Sequence, residues 1–268
     1  MKTHPFHLVK ISPWPILTSF ALMFTMIGFV LFIREYYIGY YLLPIALIIL
    51  VFLLYSWWRD IINEGLSGHC HSTAVQMGLK IGMVLFILSE IMLFFTIFFA
   101  YFFSSINPVG ELEGVWLVGH GHWPPSNIIL FDPWSIPFIN SLILLLSGTS
   151  VTWAHHAIIL KNKSESIRAL GITVLLGIFF TSFQIYEYVH AKFGMSDGIY
   201  ASNFYFATGF HGIHVVIGIV FLSVCYFRAK RGDFIQGDHL GFEFAAWYWH
   251  FVDVVWLFLF IFIYVIPS

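Results

Sequence analysis

Charge is what this 268-residue chain most lacks. Only 10% of its residues are Asp, Glu, Lys or Arg, against about 25% in soluble domains, while 59% are hydrophobic. A water-soluble globule is excluded, and the chain reads as a multi-span membrane protein. An excess of basic residues is missing too: the net charge of −2 argues against a nucleic-acid partner. Cysteine is scarce. Cys70 and Cys225 cannot build a disulfide framework, and the topology below places both near the inner face, where free thiols in a reducing compartment are expected. The sequence has no Gly-rich phosphate loop, nucleophile elbow or Walker motif. It shows no internal repeat of the inverted-repeat transporter kind and no low-complexity segment. Aromatic residues, by contrast, make up 20%; they suit membrane interfaces and packed helix contacts alike, so they say little about chemistry.

Apolar runs organise the chain. They cover Ile16–Ile33, Tyr41–Trp58, Leu79–Phe103, Ile136–Leu160, Ile167–His190, Ser202–Arg228 and Phe242–Ile266, each long enough to cross a bilayer as a helix. The first follows a polar tail and imitates a signal peptide, but no small-residue cleavage site follows it, so it is read as a retained span. Only REYYIGY separates the first two runs, which predicts an antiparallel hairpin. Residues 59–80 turn polar, and 104–135 form the longest non-membrane stretch, too short and aperiodic for a domain. With seven spans, ten of the 12 Lys and Arg residues fall on the side of the N-terminal tail, which the positive-inside rule places inside, with the C-terminus outside. The expected organisation is residues 1–76 as tail, two-helix hairpin and inner loop, and 77–268 as a five-helix bundle.

A few polar residues interrupt the runs. Glu90 stands alone in IGMVLFILSEIMLFFTIFFAY, roughly 17 Å from the start of its span at ~1.5 Å per residue, near the midplane of a hydrocarbon core about 30 Å thick. An acid there marks an ion pathway, a relay or a partner, and burial is expected to leave it neutral or hydrogen-bonded to a neighbour. His155 and His156 are adjacent, about 100° apart on a helix, so a shared metal is disfavoured and packing is the plainer reading. Glu187 and His190 form an E-x-x-H pair, but di-iron bundles need two such pairs with further glutamates, and this chain has one. His211 and His214, with Glu243, His250 and Asp253, could ligate haem or copper. They could equally be hydrogen-bonding glue beside Gly209, Gly212 and Gly218. His69, Cys70 and His71 are a weak zinc signal without a fourth ligand.

SPWP at 12–15, WWRD at 57–60, SE at 89–90, TWAHH at 152–156, ATGFHGIHV at 207–215 and AWYWHFVDVVWLFLF at 246–260 resemble cytochrome c oxidase subunit III along essentially the whole chain. The resemblance implies an all-α integral membrane protein whose first two of seven helices splay from the other five around a V-shaped, phospholipid-filled cleft. It implies a non-redox subunit beside the catalytic subunit I and subunit II, with accessory subunits, of the oxidase that passes electrons from cytochrome c to oxygen and pumps protons. No haem, copper or other metal is expected in this chain, only bound phospholipid, and no catalytic residue. Trp58, Arg59, Glu64, His71, Glu90 and Arg228 match the family's cleft residues, and Glu90 matches the glutamate that carbodiimides modify. His155, His156, Glu187, His211, His214, Glu243, His250 and Asp253 are then structural or interfacial.

The family's role is to protect the catalytic subunit from inactivation during turnover and to support its proton uptake, and the cleft has been proposed as an oxygen route. The host membrane would be the mitochondrial inner membrane or a bacterial plasma membrane. Family members commonly read GHH where this chain reads GHCH, so Cys70 departs from the pattern. Alternatives are a quinol-oxidase subunit, whose versions commonly lack the first two spans, a proton channel using Glu90, Glu187 and Asp253 as a relay, and a membrane metalloenzyme.

Overall fold

Seven runs of apolar sequence become seven long helices. The computed structural model describes residues 7, 10–67, 71–112, 115–118, 121–125, 128–236 and 239–267. The long helices are α1 (Trp14–Ile33), α2 (Tyr37–Leu66), α3 (Thr73–Ile106), α4 (Ile136–Ile159), α5 (Lys163–Val189), α6 (Ile199–Arg231) and α8 (Leu240–Leu259), with the short α7 (Asp233–Gln236) before the last. A π-helical turn at Phe260–Val265 prolongs α8. All seven are long and apolar enough to cross a membrane. Helices α2 and α3 run well past the apolar runs, because residues 59–66 and 73–78 continue in helix without a proline to stop them. Among the described residues the strands are those of one antiparallel hairpin, β1 (Val109–Leu112) and β2 (Val115–Val118), pairing Val109 with Val118 and Leu112 with Val115.

The chain divides into two compact units, Met1–Leu79 and Lys80–Ser268, the division falling within α3. In the first unit α1 and α2 pack as an antiparallel hairpin through a stripe of mostly small residues. Thr18, Ala21, Thr25 and Gly28 are buried on α1, and Gly39, Ala46, Leu53 and Ser56 on α2. Without a hydrophobic drive between helices in lipid, close backbone approach supplies the attraction. A Cβ on Gly28 would lie 2.9 Å from the Leu43 backbone, so only glycine fits. The Trp14 indole N–H donates to Asp60 Oδ2 at 2.7 Å, tying the start of α1 to the last turns of α2. Large apolar side chains such as Phe29, Ile48 and Phe52 remain exposed, as lipid-facing helices require.

The second unit is organised on Trp249 and Trp256 of α8, both fully buried. Their indole N–H groups donate to Ser147 Oγ and Ser141 Oγ of α4, each at 2.9 Å. Trp249 lies in a slot made by two glycines: a Cβ on Gly177 of α5 or Gly218 of α6 would come within 2.8 and 2.7 Å of its ring. Further polar clips join the helices, Ser150 to Thr173 at 2.8 Å and Tyr188 to Thr208 at 2.6 Å. Gln184 Nε2 also donates to the Thr208 carbonyl at 2.9 Å. Helix α5 opens on Asn162, whose side chain accepts from the Glu165 N–H. Helix α6 ends on three basic residues, Arg228, Lys230 and Arg231, and on Gly232 at φ 91°, a left-handed cap that glycine adopts without strain.

Candidate functional site

Glu90, near the centre of α3, meets His214, near the centre of α6. Glu90 Oε2 lies 2.8 Å from His214 Nε2, with the side chains 20% and 9% exposed. The other ring nitrogen, Nδ1, lies 2.6 Å from the Phe210 carbonyl oxygen. That oxygen can only accept, so Nδ1 carries a proton and donates it. Nε2 then either accepts from a protonated Glu90 or, in an imidazolium, donates to a carboxylate. In both arrangements one proton lies on the line between the two residues. Aromatic rings enclose the pair: Phe94 meets the imidazole edge-on at 5.1 Å, and Tyr248 stacks on it at 6.3 Å. The acid at the midplane is thus hydrogen-bonded to a neighbour, as burial requires.

A second polar contact holds α3 ten residues earlier. Lys80 Nζ lies 3.1 Å from Glu243 Oε2 in the first turn of α8. Glu243 Oε1 lies 3.0 Å from His239 Nε2, four residues before it. His155, from the end of α4, completes a group in which each of His155, His239 and Glu243 offers one donor atom within 4.8 Å of the others. Its neighbour His156, with the ring centroids 6.4 Å apart, is outside that group. Arg228 turns inward, with Nε 3.6 Å from Asp233 Oδ2 and its guanidinium 4.7 Å over the Phe234 ring.

Trp58, Arg59, Glu64 and His71 belong to the first unit. Trp58 is exposed, and Arg59 pairs with Asp60 at 3.3 Å on the surface. Glu64 and His71 converge with His7, their donor atoms within 4.8 Å of one another. His69 and Cys70 lie outside the described residues, so the histidine–cysteine triplet at 69–71 is represented by His71 alone; Cys225 is free and buried.

The remaining polar residues are dispersed. Glu187 is 1% exposed while His190 is exposed and folds back onto the Tyr186 carbonyl at 2.8 Å, so the E-x-x-H pair does not share a site. His211 is fully buried against Trp256 and Phe180, with ring centroids at 5.3 and 5.7 Å, and its nitrogens have no hydrogen bond among the described residues. Asp253 packs onto Gly148 of α4, where a Cβ would meet its Oδ2 at 2.6 Å, and lies 3.8 Å from His250 Nδ1. Glu243 and His250, one face of α8 by spacing, take different partners: Lys80 and His239 for the first, Asp253 and Thr152 for the second. Sequence reasoning missed Lys80 and the Trp249 slot, whose partners lie far off in the chain, and His239, which pairs with Glu243 four residues on. It also missed that Glu90 and His214 pair, though both sit at mid-span.

Comparison with known proteins covers the whole length. Residues 4–268 match the family described as Cytochrome c oxidase subunit III. "Probable cytochrome c oxidase subunit 3" of Rickettsia bellii is 61% identical over 270 residues, covering 100% of this chain and 97% of that protein. "Cytochrome c oxidase subunit 3" of Prototheca wickerhamii is 54% identical, covering 98% of each chain. The protein of that name from Arabidopsis thaliana is 50% identical, covering 97% of this chain and 96% of its own.

Proposed function

The chain belongs to the cytochrome c oxidase subunit III family, and from that premise we propose that it stabilises its catalytic neighbour in a lipid setting. In this reading it is the non-redox, multi-span subunit beside subunits I and II, in a bacterial plasma membrane or mitochondrial inner membrane. It carries no haem or copper of its own. Residues 1–76 present apolar helix faces to phospholipid, and 77–268 form the bundle that the partner subunit grips. Trp58, Arg59, Glu64 and His71 are its lipid-cleft residues, and Glu90 and Arg228, both engaged within the bundle, are modulatory; guanidinium groups at a membrane boundary suit lipid phosphates.

The observation that carries the proposal is the Glu90–His214 hydrogen bond at mid-span. A proton relay needs a next acceptor. Among the described residues no second carboxylate hydrogen-bonds to this pair, while aromatic rings surround it. The arrangement fits a clip that holds an otherwise apolar helix in one register, with a proton retained at the contact. Fixing α3 in this way would keep the surface offered to the catalytic subunit constant during turnover, supporting its proton uptake and slowing its inactivation.

Reconstitution tests this reading against a channel. Vesicles holding the isolated chain are expected to show no proton flux above that of empty vesicles under an imposed gradient. Flux that disappears on Glu90→Gln substitution would overturn the proposal in favour of a relay through this chain.

A further inference from the structure

His155, His239 and Glu243 bring two imidazoles and a carboxylate together from three places in the chain: the end of α4, the residue before α8 and the first turn of α8. We propose that they form a binding site for a zinc-type divalent cation, and that Lys80 competes with the ion for Glu243.

The donor set argues for the ion. Two histidines and one glutamate, with a fourth position left for water, are ligands zinc takes in open sites. Imidazole donors disfavour magnesium and calcium, which demand oxygen. Tetrahedral coordination at about 2.0–2.2 Å needs donor atoms ~3.3 Å apart. The three already lie within 4.8 Å, and His239 and Glu243 are at 3.0 Å, so side-chain rotation of His155 is the main adjustment. The site also has a rigid wall and an opening. The fully buried Phe242 ring packs on His155 at 5.7 Å and limits where that imidazole can turn. His239 is 36% exposed at the helix end, which leaves a path for the ion to enter.

Lys80 makes the site conditional. Its ammonium lies 3.1 Å from Glu243 Oε2, where it neutralises the carboxylate. A divalent cation bound to the same carboxylate would face that ammonium at close range, and like charges at such distance repel strongly. Ion and lysine are therefore alternative partners. Filling the site displaces Lys80, removes its contact between α3 and α8 and leaves Glu90–His214 in place. The inference does not depend on the lipid role proposed above, because it concerns metal affinity alone.

Equilibrium dialysis of the purified oxidase complex against zinc ions alone, with bound metal counted by mass spectrometry, tests it. The complex with the unmodified chain is expected to hold one more exchangeable zinc than complexes carrying His239→Gln or Glu243→Gln. His155→Gln provides a third variant whose ligand lies on another helix. Lys80→Met should bind that zinc at least about tenfold more tightly, because the competing charge is gone. Haem spectra and retention of the chain verify that each variant complex is assembled. Equal zinc numbers and affinities in the unmodified chain and all three ligand variants would overturn the site. Equal affinity in Lys80→Met and the unmodified chain would overturn the competition.

Discussion

Glu90 Oε2 lies 2.8 Å from His214 Nε2, and the far nitrogen of the same imidazole lies 2.6 Å from the Phe210 carbonyl. Two acceptor positions flank one ring, so the pair cannot be built without a proton between its members. An acid near the middle of α3 that looks solitary in the sequence is half of a partly buried hydrogen bond joining α3 to α6.

The pair should behave as a unit under mutation. Glu90→Gln keeps a donor to Nε2, so the variant chain is expected to stay in the complex with unchanged haem spectra. His214→Phe keeps a ring but strands the acid, which costs about 1–3 kcal/mol. Glu90→Leu combined with His214→Phe replaces both partners by apolar groups and should recover most of that loss. The temperature at which the chain leaves the purified complex checks all three. A double variant no more stable than His214→Phe alone would contradict the pairing.

Trp249 is expected to be the least tolerant point of the bundle. Gly218→Ala places a methyl 2.7 Å from its ring, and Gly177→Ala one 2.8 Å away. The ring is held by Ser147 and cannot swing aside, so each change should destabilise the chain by about 1–3 kcal/mol through overpacking. Thermal melting of the assembled complex measures this; unchanged melting in both variants would contradict the slot.

Ser147→Ala removes the acceptor of the buried Trp249 indole N–H. An orphaned buried donor costs about 1–3 kcal/mol. The indole fluorescence of a variant retaining Trp249 as the reporter should shift and broaden, and no change in emission or melting would count against the bond.

Arg59 lies on the surface near the end of α2, with its side chain 56% exposed and only Asp60 as an ion-pair partner among the described residues. If it holds lipid phosphate, Arg59→Ala should lower the phospholipid phosphorus retained per complex after detergent washing. Arg228→Ala should lower it less, since that guanidinium is already engaged with Asp233 and Phe234. Equal phosphorus in Arg59→Ala and the unmodified complex would contradict the lipid contact.

The spans were legible in the sequence because lipid demands long apolar helices, and each of the seven runs coincides with one. Their ends were less legible: hydropathy stops at Trp58, whereas the backbone stays helical to Leu66. The β1–β2 hairpin left no periodic trace, since four residues per strand are too few to show alternation. In the candidate site, residue types were visible but partners were not. Glu90 and His214 are 124 residues apart, and Trp249 finds Ser147 across 102. Equal depth in their spans was the one clue that could have joined Glu90 to His214. His239 gave none, lying just outside an apolar run.

Activity followed against cumulative turnovers, in oxidase complexes with and without this chain, tests the central claim most directly. The complex lacking the chain should begin at a similar rate and then lose activity far sooner, and restoring the chain should restore its endurance. A depleted complex that kept its activity as long as the complete one would contradict the account.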